Sequence, residues 1–371
     1  MRFGAIVAVM ASTCALAVRA TPFPQATQCG PGAGQGLYHC DNGVLKQGPG
    51  PNVPKPPPPT TPLPPTTPQP PPTGGAPPAN PGGRTLQVVN KCAQDIWIGM
   101  QGNPLPKDGG FFLPKGQTEN VSLPPRWTAG RLWARTACET VNGRLVCATG
   151  DCGSEFNGFG VACKGIGGQA PATLAEFTLQ DGGQTDFYDL SNVDGYNVGV
   201  NIEAFGQTVN NPDLGKFNCG NPATTTTTSQ RCPAELKMTD KTGTTSCAAI
   251  HAAAHNAAQR SKFPALQAIF NNANTLSLVS CSCDCGPDCG CTNPASKHCC
   301  SPYNNDPREA GGKCRVEEWP RSTAPGAGST FPARYDEVFK SQCPDAYSWQ
   351  FDDHQSTYQC LLANYRVTFC P

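Results

Sequence analysis

Charge is what this sequence has least of. Asp, Glu, Lys and Arg make up 15% of its 371 residues, and 27 basic against 27 acidic residues leave a formal net charge of zero. That balance excludes the long-range attraction that carries nonspecific binding to nucleic acid or to an anionic membrane. Long apolar runs are scarce as well. Beyond residue 20 no segment is apolar over the roughly 20 residues that a membrane helix needs, so no membrane span is expected. Turn formers are abundant instead, with 40 Gly and 39 Pro. This profile predicts turns, loops and short strands rather than long helices.

The first twenty residues have the layout of a secretion signal. Met1-Arg2 is a short basic start, residues 3–18 are mostly apolar, and Val18-Arg19-Ala20 puts small apolar residues where signal peptidase reads them. Cleavage is expected after Ala20. The sequence has 22 cysteines, of which Cys14 lies in this leader. Twenty-one thiols in an oxidising compartment should pair almost completely, and the odd number leaves one over. The expected location is therefore extracellular or in a cell wall, and a monomer is expected.

Residues 21–50 hold the close pair Cys29 and Cys40 and are too few for a core of their own. Residues 51–84 are a Pro/Thr tract, in which proline fixes φ and removes backbone donors. An extended spacer, suited to O-linked sugar, is expected there. A shorter threonine tract at 224–229 is expected to be an exposed loop. From Thr85 the pattern changes. Short strands are predicted at 85–89, 95–100, 131–135, 173–179, 186–190 and 198–204, separated by turn residues. This is the pattern of a β-sandwich or barrel. Residues 248–272 are alanine-rich and predict one helical segment, followed by cysteine-dense loop.

Motifs then recur in order. They begin with Gly130-Arg131-Leu132-Trp133-Ala134-Arg135-Thr136, Cys138, Cys147 and Thr149-Gly150-Asp151-Cys152-Gly153. Next come Thr173-Leu174-Ala175-Glu176-Phe177, Asp186-Phe187-Tyr188-Asp189-Leu190-Ser191 and Val193-Asp194-Gly195-Tyr196-Asn197. Cys232-Pro233-Ala234-Glu235-Leu236, Cys343-Pro344-Asp345-Ala346-Tyr347-Ser348 and Tyr365-Arg366-Val367-Thr368-Phe369-Cys370-Pro371 complete the set. From about residue 88 to 371 the chain resembles the thaumatin-like proteins. The resemblance implies a mainly β fold, with a sandwich core, a disulfide-rich second lobe of loops and helix, and an acidic cleft between them. It also implies the pairs Cys92–Cys370, Cys138–Cys147, Cys152–Cys163, Cys232–Cys247 and Cys300–Cys314. This chain departs from the family in having only Cys219 before Cys232, so Cys219 is left to pair with Cys360 or Cys343. It also carries an insertion at about 248–292.

The carboxylates are the candidate chemistry. Strand alternation puts Ala175, Phe177 and Leu179 on one face and Glu176 and Thr178 on the other, while Asp189 opposes Tyr188 and Leu190. With both apolar faces turned inward, Glu176 and Asp189 point outward together, and Asp194 follows after a turn. Crowded carboxylates repel unless one keeps its proton or a cation joins them. By motif context Arg131, Glu176, Asp189, Asp194 and Asp345 match the family's cleft, and the resemblance points to β-1,3-glucan as ligand. Glu176 is expected as proton donor, with Arg131 keeping Asp189 or Asp194 ionised and Asp345 positioning substrate. Unequal acidities of this kind are what glycoside hydrolysis needs. Without the resemblance the same residues read as solvated strand-end acids that an arginine neutralises.

Other patterns point less sharply. His251 and His255 lie four apart on the predicted helix, near Cys281, Cys283, Cys285, Cys289 and Cys291. Zn or Cu is conceivable, but in a secreted chain such cysteines are expected in disulfides, so neither metal nor cofactor is expected. Asn120-Val121-Ser122 is a glycosylation sequon. Trp97, Trp127, Trp133 and Trp349 are expected mainly in the core. Three functions remain open: a secreted endo-β-1,3-glucanase, a non-catalytic wall glucan binder, and a defence-type protein that disturbs membranes or inhibits a foreign enzyme.

Overall fold

Alternation with a period of two builds the main domain. The computed structural model describes residues 38–41, 44–47, 83–152, 160–181, 183–206, 212–224, 231–279, 319–322, 333–350 and 352–371. The expected signal peptide, Cys29, the tract at 51–82, residues 225–229 of the threonine tract and the cysteines from Cys281 to Cys314 lie outside them. One unit, Arg19–Pro77, contributes the hairpin β1 (Tyr38–Asp41) and β2 (Val44–Gln47) among the described residues. The other unit holds everything discussed below.

Strand β3 (Arg84–Asn90) buries every second residue, including Leu86 and Val88. The spacer expected to end at residue 84 therefore gives up its last residue. Arg84 donates to the Ala363 carbonyl at 2.7 Å and pairs with Asp186 at 3.3 Å. Strand β4 (Ile96–Asn103) is followed by β5 (Gly110–Leu113), β6 (Thr118–Leu123) and β7 (Trp127–Arg135). A small hairpin, β8 (Glu139–Val141) and β9 (Arg144–Val146), precedes β10 (Leu174–Leu179) and β11 (Asp186–Ser191).

The strands β12 (Gly195–Tyr196), β13 (Val200–Gly206), β14 (Lys237–Thr239), β15 (Thr245–Ala248), β16 (Ala346–Tyr347), β17 (Tyr358–Cys360) and β18 (Ala363–Phe369) complete the set. A seven-stranded sheet runs β16-β11-β10-β7-β4-β5, with β17 also on β11. A four-stranded sheet runs β13-β18-β3-β6. Their inner faces share one core: Leu86, Val88, Ile98, Leu132, Phe177, Tyr188, Ile202, Val367 and Phe369 all belong to it. Of the sandwich or barrel that the strand pattern predicts, the structure is the β-sandwich.

Asn197 ties the sandwich to its flanking loops. It is buried, donates to the Ala134 carbonyl at 2.9 Å and Thr149 Oγ1 at 2.8 Å, and accepts from the backbone N–H groups of Thr173 at 3.1 Å and Val198 at 2.8 Å. Asn197→Ala strands several buried groups, each costing about 1–3 kcal/mol. Chemical denaturation should show a loss of about 2–4 kcal/mol. A loss well under 1 kcal/mol would mean that water takes over these bonds.

The second lobe is built differently from expectation. The alanine-rich segment forms three short helices, α1 (Ile250–His255), α2 (Ala257–Lys262) and α3 (Pro264–Asn271), and a fourth, α4 (Ala273–Val279), follows directly. Asn256 accepts from the N–H groups of Ala258 and Gln259, Pro264 opens α3, and Asn272 accepts from Thr275. Each break is a residue that caps a helix or cannot continue one, and alanine content does not override them. Buried Ile250, Ala253, Ala254, Leu266 and Ile269 pack with Tyr335, Val338 and Phe339, of which the last three come from α5 (Tyr335–Lys340). No helix among the described residues is long and apolar enough to cross a membrane.

Four implied disulfides are formed: Cys92–Cys370, Cys138–Cys147, Cys152–Cys163 and Cys232–Cys247. Cys219 pairs with Cys360, and Cys343 is buried in the main core. Thr224 corrects the expectation of a wholly exposed threonine loop. It is buried, and its hydroxyl accepts from the Val200 N–H at 2.8 Å. Trp127, Trp133 and Trp349 are buried, while Trp97 is half-buried against Phe112 with ring centroids 5.0 Å apart.

Candidate active site

The outward face of β7, β10 and β11 floors a cavity of about 380 Å³. Register brings its polar residues together: Glu176 pairs directly with Arg131 on one side and with Asp189 on the other. Directly paired residues on one face have Cβ atoms about 5 Å apart. The tight turn Asn192–Gly195, closed by the Gly195 N–H on the Asn192 carbonyl at 2.9 Å, carries Asp194 to the cavity wall. Gly195 has φ of 101°, and a Cβ there would lie 2.5 Å from the Cys247 carbonyl oxygen, so this turn requires glycine.

Arg131 is held in place. Its Nε donates to Gln101 Oε1 at 2.6 Å, and Gln101 in turn donates to the Gly165 carbonyl at 2.7 Å. Arg131 Nη1 lies 3.8 Å from Glu176 Oε1. Glu176 is pushed above the usual carboxylate range by burial, an effect opposed by Arg131, reinforced by Asp194 and eased by a hydrogen bond from Ser191. Asp189 is pushed well above that range, first by burial and then by repulsion from Glu176 and Asp353. Its Oδ1 is buried without a hydrogen-bond partner among the described residues. Of the two, Asp189 is the one whose surroundings favour the neutral acid, and Glu176 is the one facing a guanidinium.

Asp345 lies elsewhere. It is not on the cavity wall, and Lys216 reaches it at 3.0 Å. The wall position is taken by Asp353, the first residue of α6 (Asp353–Ser356). Tyr347 donates to Asp353 Oδ1 at 3.0 Å, and its hydroxyl also meets Thr357 Oγ1 at 2.5 Å. Tyr347 is placed by parallel pairing of β16 with β11, opposite Ser191. Phe187, 40% exposed and cross-strand from Thr178, gives the floor one apolar ring. Neither Asp353 nor Tyr347 stands out in sequence, because both sit in turns and two-residue strands with no period to read.

His251 enters from α1 and lines the same cavity, with Nε2 3.7 Å from Asp194 Oδ1. His255 instead packs edge-on against Phe270, centroids 5.5 Å apart, and burial pulls it below the usual imidazole range. Among the described residues no group of three or more His, Cys, Asp or Glu is arranged to hold a metal ion. Asn120 is exposed on β6, opposite Gln87, as a glycosylation sequon requires.

The model of the thaumatin family matches residues 90–371. The chain is 34% identical to pathogenesis-related protein 5 of Arabidopsis thaliana over 76% of its own length and 88% of the relative's. It is 31% identical to pathogenesis-related thaumatin-like protein 3.5 of Cryptomeria japonica, over 78% and 91%. A protein of Prunus avium named glucan endo-1,3-beta-glucosidase is 30% identical, over 77% and 90%. With the family model matched over residues 90–371 and about nine-tenths of these relatives' length aligned, this chain belongs to the thaumatin family.

Proposed function

We propose that the cleft binds β-1,3-glucan and hydrolyses it outside the cell. The observation that carries this reading is the cross-strand pair Glu176–Asp189, two carboxyl groups side by side in unequal surroundings. Asp189, kept neutral, gives its proton to the glycosidic oxygen as the bond to the anomeric carbon breaks. Glu176, charge-balanced by Arg131, stabilises the cationic sugar. It then either takes up the anomeric carbon or draws a proton from the water that attacks it. Burial, Glu176 and Asp353 keep the proton on Asp189, Tyr347 holds Asp353 in place, and Phe187 offers a sugar ring an apolar surface. These roles reverse the one expected for Glu176, because Arg131 faces Glu176 directly. The Prunus avium relative's name agrees with the glucan assignment. The five disulfides among the described residues suit an oxidising compartment.

One observation favours a second reading. Burial pushes both Glu176 and Asp189 upward, and a pair that keeps two protons has no base. Such a cleft holds glucan without cutting it. A single pair of measurements decides. The secreted protein is incubated with soluble laminarin across pH 4–8 and reducing ends are counted. Retention on insoluble β-1,3-glucan is measured in parallel. Release with an acidic optimum is expected. Retention without release at any pH replaces hydrolysis by binding, and the absence of both release and retention overturns the glucan reading.

A further inference from the structure

Of the described residues lining the cavity, His251 alone comes from helices α1–α4. We propose that His251 and Asp194 form a two-sided clamp for one ligand hydroxyl, making His251 a specificity-determining residue contributed by the helical insertion. The proposal rests on the glucan reading above and names the part of the cleft that grips the sugar.

The geometry supports a shared third atom. Nε2 of His251 and Oδ1 of Asp194 are 3.7 Å apart, beyond the roughly 3.2 Å limit of a good N–H···O bond. Neither group therefore satisfies the other. Both are about one-fifth exposed, 20% and 19%, and both line the cavity. At 3.7 Å the two atoms are close enough for one oxygen to lie at ordinary hydrogen-bond distance, about 2.8 Å, from both. It must accept from Nε2–H and donate to the carboxylate, and a sugar hydroxyl does both at once. An ether oxygen or a methylated hydroxyl lacks the proton for Asp194, so the clamp selects free hydroxyls.

Holding the helix is not the task of His251. Helix α1 is anchored by Ile250, Ala253 and Ala254, which are buried in the second-lobe core. His255, one turn on, packs against Phe270 and is not on the cavity wall. His251 is thus the place where the second lobe reaches over to Asp194 of the sandwich.

The test is calorimetric titration with laminaripentaose. Wild type is titrated first, and the variants are compared in an Asp189→Asn background to prevent turnover. His251→Ala suits an alanine-rich helix and should weaken binding about tenfold. His251→Gln returns an N–H donor and should stay within about threefold of the parent. Once Asp194→Asn is present, His251→Ala should weaken binding less than twofold further, because the clamp is already broken. Thermal melting reports whether each variant is folded. If wild type binds and His251→Ala binds as tightly, the clamp is overturned and the glucan reading survives. If His251→Gln, with an unchanged melt, loses as much as His251→Ala, the clamp is also overturned. A wild type that takes up no laminaripentaose overturns the glucan reading, and the clamp falls with it.

Discussion

Replacing Asp189 with asparagine is expected to lower turnover of β-1,3-glucan by about 10²–10⁴-fold while leaving glucan binding in place. The amide has nearly the same shape but carries no acidic proton for the leaving oxygen. Stability supplies an independent check. Asp189 has a folded pKa raised by burial and by Glu176 and Asp353. Below the ordinary carboxylate range the group is protonated whether folded or not, so its neutral burial is fully compatible with folding. As pH rises, the unfolded chain ionises first, and the contribution is lost up to the raised folded pKa. Asp189→Asn does not ionise, so its stability relative to wild type should increase as pH rises from about 4 toward neutrality. Urea melts at several pH values, run beside reducing-end assays, read both effects. Unimpaired hydrolysis by Asp189→Asn would remove it as proton donor. A stability difference that does not change with pH would show that Asp189 ionises as freely folded as unfolded.

The Cys92–Cys370 disulfide should have the largest effect on stability of any single covalent change in the domain. It spans 278 residues of sequence. In the chain-entropy account, closing a loop of that length restrains the unfolded chain by about 5 kcal/mol. Cys138–Cys147 spans 9 residues and should contribute about 2.5–3 kcal/mol. Cys92→Ala with Cys370→Ala should therefore lower the melting temperature by about 10–20 °C. Against a typical total of about 5–15 kcal/mol, that is a large part of the whole. The matching Cys138/Cys147 variant should melt clearly higher. The opposite order would mean that strain or residual structure, rather than loop entropy, governs these bonds.

What the sequence made legible follows from what is periodic in it. Glu176 and Asp189 were placed on one outward face because Phe177, Leu179, Tyr188 and Leu190 alternate with them, and the register pairs them directly. The neighbour of Arg131 was not legible. It depends on the pairing of β7 with β10, which brings Arg131 to Glu176, and no spacing along the chain encodes that contact. Asp345 and Asp353 were indistinguishable as acids in a short C-terminal stretch. Only the parallel pairing of β16 and the single turn of α6 put one on the cavity wall and the other beside Lys216. The helical insertion was legible as helix, yet its three interruptions rest on single residues, Asn256, Pro264 and Asn272, against an alanine-rich background.

Strand β18 lies between β13 and β3 in the four-stranded sheet, and its partner β3 is the first strand of that sheet in sequence. The sheet therefore lacks an interior strand until residues 363–369 have been synthesised. At about 5–20 residues per second, β3 waits roughly 15–60 s for that partner. During that interval β3 and β6 can form a hairpin, but Leu86 and Val88 have no completed sheet across which to settle. A chain lacking residues 363–369 would therefore leave this sheet unclosed, with β3 presenting an unpaired edge.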